Sequence, residues 1–302
     1  MKKSTAWLSA ILLILLIIVI GGGIAWFVYQ QQPRQPAQQA ARPASAVQGK
    51  PPEPGVQQPE PTKHLVLGGP RYFAGMPQPT REFPGHIQVL DNTGYSAGYC
   101  PERKTSAWVA YRVTKHPHVA APKRPTQFLA DSRVVGSPIS RDYSNSGFDR
   151  GHLAPNRVIA LCYGTEAQRE TFLLTNIIPQ RPDLNREVWE QLETVESETY
   201  GNRYGTIYVI DGPVYDRSST ETLAGGEAVP SACYKIIVRA DQPDHPEILA
   251  FVMPQNVTGR EQPSQFLTTV DEIERQTGLD FLRDLPDVEE DKIEAEQATG
   301  MW

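Results

Sequence analysis

The sequence has little cysteine, with three residues, Cys100, Cys162 and Cys233, in a chain of 302. An odd number of cysteines cannot form a complete disulfide framework, which excludes the class of small domains held together mainly by disulfides. No two cysteines have the C-x-x-C spacing typical of structural zinc sites. One disulfide or three unpaired thiols are both compatible with this count, and the sequence does not select a pair.

The chain also lacks a positive net charge, since its formal charge at pH 7 is −6. A wholly basic domain that binds nucleic acid through charge alone is therefore excluded. The local distribution differs from the total, because residues 101–150 contain nine Lys or Arg and four acidic residues, a net of +5. This segment is either a phosphate-binding surface or a solvated loop, and charge does not decide between the two.

Large apolar residues are almost absent from residues 31–62, where Gln, Pro and Ala dominate. A segment of this composition cannot bury a core, so we expect an extended and semi-stiff disordered linker.

One long apolar run precedes this linker, from Ala6 to Tyr29, and its last residues are aromatic. The run is longer than the apolar core of a cleaved signal peptide and long enough for a transmembrane helix. Because Lys2 and Lys3 lie before it, we expect residues 1–30 to be an uncleaved anchor with its N-terminus in the cytoplasm. The rest of the chain would then be extracytoplasmic, on a cell membrane.

From residue 63 to residue 286 the pattern is that of one folded domain, followed by an acidic tail over 287–302. Residues 92–106 are interpreted as a hairpin connection and residues 115–148 as a loop. β-Branched and aromatic residues predict strands at 86–91, 107–114, 206–211, 233–239 and 248–253. Periodic apolar residues predict helices at 166–174, at 184–198 and at 264–276, the last with Ser264 as its cap. There is no internal repeat and no regular βαβ alternation, so the predicted class is α+β.

The chemistry centres on the sequence Asp-Arg-Gly-His at residues 149–152. His152 is mostly neutral at pH 7 and can take a proton from water, whereas Arg150 offers a planar fork of donors to phosphate oxygens. Gly151 permits a backbone path that a residue with a Cβ would resist. Four residues alone are a weak signal, since an Asp-Arg pair before a glycine is often a salt bridge in a turn.

Three further polar residues follow this motif. Asn176 lies within residues 174–180, and Asn185 and Glu193 lie eight residues apart on the strongest predicted helix, so they project from about the same side. An amide oxygen and a carboxylate suit magnesium, which keeps several of its waters, better than zinc. Taken singly, Asn185 could be a helix cap and Glu193 a solvated residue.

Together these motifs resemble the DNA/RNA non-specific endonuclease family, the endonuclease G-like ββα-metal or His-Me finger nucleases. The resemblance covers about residues 85–286 and leaves out the anchor, the linker and the tail. The segments that carry it, in order, are 107–111, 149–155, 174–180, 184–193, 212–215, 229–235 and 271–279. It implies a ββα-metal fold with a central antiparallel sheet flanked by helices, here preceded by one transmembrane helix.

The resemblance also implies a role for each site residue. His152 corresponds to the general base that activates water, and Asn185 to the single direct protein ligand of a hydrated Mg²⁺, for which Mn²⁺ can substitute. Glu193 corresponds to the carboxylate that holds metal-bound waters. Arg150 corresponds to an arginine near the scissile phosphate, Arg124 to another, with Lys123 as the alternative, and Asn176 to an asparagine that lines the site.

The activity implied by the resemblance is hydrolysis of DNA and RNA without strong sequence specificity, leaving 5′-phosphate and 3′-hydroxyl ends. The alternatives are a phosphodiesterase with a narrower substrate and a catalytically silent nucleic-acid-binding protein on the same fold. Family members are often homodimers, although the sequence shows no interface signature. The alternative location is the mitochondrial inner membrane and intermembrane space, against which the absence of an Arg-rich amphipathic transit peptide counts.

Overall fold

The computed structural model of the chain describes residues 71–116, 121–242 and 245–302. The strands are β1 (Gln78–Pro79), β2 (Gln88–Asp91), β3 (Tyr95–Cys100), β4 (Thr105–Thr114), β5 (Asp149–His152), β6 (Ile177–Gln180), β7 (Thr206–Val214), β8 (Ala232–Arg239), β9 (Glu247–Pro254), β10 (Leu267–Thr268) and β11 (Leu279–Asp280). The helices are α1 (Asn156–Glu170), α2, which runs through Leu184–Val188, Trp189–Thr194, Val195–Tyr200 and Gly201–Tyr204, α3 (Val270–Thr277) and α4 (Asp287–Glu294). Short 3-10 turns lie at Ser140–Tyr143, Leu174–Asn176 and Pro263–Phe266.

Seven of the strands form one antiparallel sheet in the order β10-β9-β8-β7-β4-β3-β2. Strands β1 and β11 make a small separate pair, as do β5 and β6. The predicted mixed fold with a central antiparallel sheet is confirmed. The strands predicted at 233–239 and 248–253 are β8 and β9, which pair with each other.

Both faces of the sheet are buried. Successive side chains of a strand point to opposite sides, so each strand contributes to two cores. In β4, Val109 and Tyr111 enter a core that also contains residues of α1 and α2, whereas Trp108 and Ala110 enter a second core with residues of α3. The helices therefore cover the two faces separately: α1 and α2 lie on one face and α3 on the other.

The strands β5 and β6 and the helix α2 form a compact ββα unit. In the β5–β6 pair Arg150 lies opposite Pro179, Gly151 opposite Ile178 and His152 opposite Ile177. Gly151 does not have a positive φ, so the expected need for an unusual backbone path is wrong. The glycine is needed for space, because a Cβ at this position would lie 1.9 Å from Oε1 of Gln180.

Residues 92–106, interpreted as a connection, contain the fully buried strand β3. Its sequence is Tyr-Ser-Ala-Gly-Tyr-Cys, and the three consecutive small residues between the tyrosines concealed the pattern of a strand. Gly98 leaves room for the Trp108 ring of the neighbouring strand, since a Cβ there would lie 2.2 Å from Nε1 of Trp108. Residues 115–148 were predicted as a loop. In the described part of this segment the regular element is the short turn Ser140–Tyr143, in agreement with that prediction.

Strand β7 is longer than predicted, because it continues through Gly212 and Pro213 to Val214. The predicted strand ended at residue 211, because a Gly-Pro pair usually interrupts a strand. Both are instead paired with β8, Gly212 with Tyr234 and Pro213 with Cys233.

Two predicted helices differ from the observed ones. Residues 166–174 were predicted as a helix, but α1 begins at Asn156 and ends at Glu170, with a kink at Gly164, where φ is 84°. The predicted helix 264–276 is a 3-10 turn, a short strand and then α3, and the N-cap is Thr269, whose side chain accepts a hydrogen bond from the amide of Glu272, not Ser264.

The C-terminal tail is not merely a solvated acidic end. Its helix α4 buries Glu294, and Trp302 packs against Tyr200 and Tyr204 of α2 with ring-centroid distances of 5.1 and 5.8 Å.

The predicted anchor (1–30) and linker (31–62) lie outside the described residues. Among the residues that are described, no helix is both long and apolar enough to cross a membrane. The sequence left open either one disulfide or three unpaired thiols. In the structure all three cysteines are free thiols.

Candidate active site

His152 ends strand β5 in a largely apolar enclosure. The residue is 8% exposed, and its ring lies 5.5 Å from that of Phe128 and 5.0 Å from that of Phe172, measured between centroids. Its Nε2 is buried and has no hydrogen-bond partner in the described part of the chain. A buried nitrogen without a partner costs free energy. His152 also lines the adjacent cavity, so its imidazole is within reach of a group that enters there.

The ionisation of His152 follows from this enclosure. Burial, and secondly the positive charge of Arg124, lower the pKa of His152 from 6.5 to about 3. The imidazole is therefore neutral at pH 7 and can accept a proton. A phosphate group beside Arg124 would offset that charge and move the pKa of His152 upward, toward the range in which a general base works best.

Arg150 lies two residues before His152 on the same strand, so both side chains project from one side of the hairpin. One of its guanidinium nitrogens, Nη2, donates to the carbonyl oxygen of Ser140. The guanidinium carbon lies 5.7 Å from the ring centroid of Phe128 and 5.6 Å from that of Tyr143. These contacts hold a cation in place before any substrate binds.

Arg124 comes from the long loop and reaches the same place from another direction. Its guanidinium carbon lies 5.3 Å from the ring centroid of Phe172, the ring that also contacts His152. The aromatic side chains Phe128 and Phe172 therefore share the support of the base and of both arginines.

Asn185 lies in the first turn of α2 and is held from β5. Its Nδ2 donates to Oδ2 of Asp149 at 3.0 Å, and Arg186 donates to the same carboxylate at 2.7 and 2.6 Å. Burial would raise the pKa of Asp149, but the hydrogen bonds from Arg186 and Asn185 outweigh it and hold that pKa below its ordinary value. Because Nδ2 is engaged by an ionised carboxylate, Oδ1 of Asn185 is the atom left to bind a cation.

Glu193 lies two turns further along α2 and is half-buried. Burial raises its pKa to about 8, and the negative charges of Glu196 and Asp211 act in the same direction, whereas Lys235 opposes them. A cation bound nearby would favour the ionised form.

A buried ionic network lies beneath Glu193 and connects α2 to the sheet. Nζ of Lys235 is 2.7 Å from Oε1 of Glu196 and 3.1 Å from Oδ2 of Asp211, and all three side chains are fully buried. The hydroxyl of Tyr111 donates to Glu196 at 2.8 Å, and Lys235 also lies 4.6 Å from the ring centroid of Trp189. The network fixes the helix that carries Asn185 and Glu193 to strands β4, β7 and β8.

Five of the six predicted site residues line one cavity of about 300 Å³: Arg124, Arg150, His152, Asn185 and Glu193. Arg157, Arg186 and Glu190 also line it. Four arginines and two glutamates give this cavity an excess of positive charge on a chain with a net charge of −6. The arrangement suits an anionic ligand with a cation beside it.

Asn176 has a different place from the one predicted, since it is fully buried and does not line the cavity. Its Oδ1 accepts from the amide of Ala154 at 2.9 Å, and its Nδ2 donates to the carbonyl oxygens of Ala154 and Thr171, both at 3.0 Å. The side chain fastens the backbone that follows His152 and does not reach the cavity.

Sequence reasoning missed Arg157 and Arg186, and it gave Asp149 no role. Arg186 directly follows Asn185, but neighbouring helical residues point about 100° apart, so adjacency gave no reason to place both in one cavity. The reason is the shared partner Asp149 on another element, and no sequence spacing reveals such a contact.

Known nucleases are similar in sequence to this chain. The family described as DNA/RNA non-specific endonuclease matches residues 74–288. A nuclease of Nostoc sp. is 31% identical over 231 residues, which are 72% of this chain and 80% of that protein. Human mitochondrial endonuclease G is 29% identical over 213 residues, 66% of this chain and 71% of that protein.

A solved structure also resembles the chain. The crystal structure of the EndoG/EndoGI complex, which concerns the mechanism of EndoG inhibition, matches with a TM-score of 0.59 and 26% identity. The match covers 68% of this chain and 89% of the chain in that structure. The fold described above is therefore similar to that of EndoG.

Proposed function

Because the chain belongs to the DNA/RNA non-specific endonuclease family, which supports hydrolase activity on nucleic acids, we propose that it is a metal-dependent endonuclease acting on DNA and RNA without strong sequence specificity. One observation carries the proposal: the imidazole of His152 lines an arginine-rich cavity that Asn185 and Glu193 also line. A protein that only binds nucleic acid has no need for this combination.

The residues present fit a bound Mg²⁺, with Mn²⁺ as a substitute. The donor set is oxygen, from the amide of Asn185 and the carboxylate of Glu193, and magnesium prefers oxygen ligands and retains waters. Asp149 holds the Asn185 amide through its nitrogen, which leaves the amide oxygen for the ion. Asn185 would bind the ion directly, Glu193 would hold its waters, and the ion would supply charge stabilisation for the leaving oxygen.

His152 is the general base in this proposal. Water attacks phosphorus as the imidazole of His152 takes its proton, the new oxygen–phosphorus bond forms, and the bond from phosphorus to the 3′ oxygen breaks. The products therefore carry a 5′-phosphate and, once the leaving oxygen gains a proton, a 3′-hydroxyl. The apolar ring contacts from Phe128 and Phe172 keep the imidazole neutral before substrate binds.

Arg150 and Arg124 neutralise the phosphate. Both guanidinium groups are supported by aromatic rings, so little conformational entropy remains to be lost when phosphate binds. Charge that develops on phosphate oxygens in the transition state is stabilised by cations already in position. Asn176 contributes indirectly, because it holds the backbone after His152.

The absence of strong sequence specificity follows from the same contacts. Each side chain assigned above interacts with phosphate, water or metal, and none of these distinguishes one base from another.

The proposal includes a membrane-anchored location. The apolar run of residues 6–29 anchors the chain by a single pass, and the nuclease domain is extracytoplasmic. This rests on the sequence, as does the alternative of the mitochondrial inner membrane. A homodimer would place two such domains on one membrane surface.

The metal assignment is tested with Asn185→Ala. We expect cleavage by the variant to be at least tenfold weaker and to require a higher Mg²⁺ concentration, since the direct ligand is lost. Product ends are read by sensitivity to a 5′-phosphate-dependent exonuclease. Asn202→Ala, at a half-buried position of the same helix that does not line the cavity, is the matched control and should titrate like the unmodified chain. A Mg²⁺ titration that is identical in Asn185→Ala would remove Asn185 as the ligand.

A further inference from the structure

A second group of carboxylates lies away from the active site, between α3 and α4. Asp271 and Glu274 are three residues apart on α3 and therefore share one side of it. Glu294 is the last residue of α4. One oxygen of each of these three carboxylates lies within 4.8 Å of the others. The α3 helix packs on the sheet face opposite α1 and α2, so this carboxylate cluster is separate from the cavity at His152.

The carboxylate cluster lacks compensating charge. No Lys, Arg or His forms an ion pair with Asp271, Glu274 or Glu294 within the described ranges. Asp280 and Glu290 instead add negative charge nearby. Burial and these carboxylates raise the pKa of Glu274 to about 7 and that of Glu294 to about 9. In contrast, Glu272 on the same helix has its own partner, since Arg275 donates to it at 2.7 Å.

Glu294 supplies a second and independent observation. It is only 5% exposed, and its Oε1 is buried without a hydrogen-bond partner in the part of the chain that the structure describes. A buried carboxylate oxygen with no donor is costly. Two helices that meet through three ionised carboxylates repel each other unless protons or a cation neutralise these groups.

The geometry of the carboxylate cluster is prepared for a ligand. Oε1 of Glu274 accepts a hydrogen bond from the amide of Phe281 at 2.7 Å, which orients that carboxylate while its second oxygen remains available. Asp271 is exposed, so water can complete a coordination shell from the solvent side. The donors are all hard oxygens, which select calcium or magnesium over zinc, and ligands from two separate helices suit the larger and more flexible shell of calcium.

We propose that Asp271, Glu274 and Glu294 bind a Ca²⁺ ion that fastens the C-terminal helix α4 to α3. The ion would replace repulsion between the helices with shared coordination. Its role is in stability, and the site is independent of the proposed chemistry at His152.

Thermal unfolding of the full chain in detergent, measured with and without Ca²⁺ at pH 8, tests this proposal. All variants carry Asn185→Ala, which removes the direct ligand proposed at the other site. We expect the melting temperature to rise by about 5 °C when Ca²⁺ is about 100-fold above its dissociation constant. Glu294→Gln should lose this rise, and Glu274→Gln should lose most of it. Glu289→Gln, an exposed position of α4 outside the carboxylate cluster, should keep it.

Isothermal titration calorimetry with Ca²⁺ provides the second measurement and does not depend on nuclease activity. One Ca²⁺-binding event should be present with Glu289→Gln and absent with Glu294→Gln. The proposal is overturned if Ca²⁺ leaves the melting temperature unchanged, which would mean that protons alone neutralise the carboxylate cluster. It is equally overturned if Glu294→Gln responds to Ca²⁺ as Glu289→Gln does.

Discussion

The imidazole of His152 is the buried group on which the proposed chemistry depends. Two aromatic rings and one arginine surround the imidazole, and each disfavours its charged form. A base that stays neutral down to low pH is available at any physiological pH, but it binds a proton weakly until a phosphate balances Arg124. The substrate therefore strengthens the base that acts on it.

Arg124→Gln tests this electrostatic coupling through the pH dependence of kcat/KM. The base works when neutral, so activity falls as pH drops through the pKa of His152. In the unmodified protein we expect this acid limb below pH 6.5, because the pKa of His152 is lowered. Removing the positive charge of Arg124 raises the pKa, so the acid limb of the variant should move to higher pH. At pH 7 the rate should also fall by about 10²-fold, as one phosphate contact is lost.

The matched control is Arg217→Gln, an exposed arginine paired with Glu82. It should leave both the rate and the acid limb unchanged. An acid limb that stays in place with Arg124→Gln, or that moves to lower pH, would contradict the coupling.

At this scale the sequence predicted five residues that meet in one cavity, because their order and spacing match a family pattern. It did not predict the place of Asn176, whose three hydrogen bonds join backbone atoms of Ala154 and Thr171. Nor did it predict Arg186, whose position depends on Asp149. Contacts between distant elements are decided by packing, and a single sequence does not display them.

The ββα unit is the element that places these residues. Strand β5 carries Arg150 and His152, and β6 supplies the partner strand. Helix α2 carries Asn185 and Glu193 and contains two π-helical stretches, Leu184–Val188 and Val195–Tyr200. Such wide turns are frequent at functional sites, and they change the angular offset between Asn185 and Glu193 from that of a regular α-helix.

Gly151→Ala tests the close packing of β5 on β6. The added methyl group would meet Oε1 of Gln180, and overpacking of this kind costs about 1–3 kcal/mol of unfolding free energy. Because His152 is the next residue, we expect the cleavage rate to fall by more than the loss of stability explains. Denaturant unfolding and plasmid cleavage measure the two effects.

The compensating substitution is Gln180→Ala. In the double variant Gly151→Ala with Gln180→Ala the clash is gone, so most of the lost stability and activity should return. If the double variant is as impaired as Gly151→Ala alone, the explanation by space is wrong.

Element predictions succeeded where one periodic pattern dominated and failed where packing replaced it. The strands β8 and β9 have runs of large apolar residues and were predicted within one or two residues. Strand β3 has a glycine where Trp108 packs, and β7 keeps its pairing through Gly212 and Pro213. In both cases pairing with a neighbouring strand stabilises an extended conformation that the local sequence does not predict.

Over the whole molecule, charge is separated between regions. The cavity at His152 is rich in arginine, while the carboxylate cluster on the other sheet face is acidic. Net charge alone therefore gives the wrong expectation for a protein that binds a polyanion, and the local excess is what steers phosphate. The family resemblance stated from the motifs is confirmed by the match over residues 74–288.

The proposed anchor is tested by fractionation of cells that produce the chain. The full chain should sediment with the membranes and resist extraction by high salt, because a transmembrane helix is held by burial of apolar surface rather than by charge. A chain lacking residues 1–30 should be recovered in the soluble fraction. Recovery of the full chain in the soluble fraction would contradict the anchor without affecting the nuclease assignment.

The most direct test of the central claim is the cleavage of supercoiled plasmid and of single-stranded RNA by the full chain, with Mg²⁺ and with EDTA, beside His152→Ala. We predict loss of both substrates with Mg²⁺, no loss with EDTA, and a rate at least about 10²-fold lower with His152→Ala, whose circular dichroism should match that of the unmodified chain. Unimpaired cleavage by folded His152→Ala, or no cleavage by the folded unmodified chain, would contradict the claim.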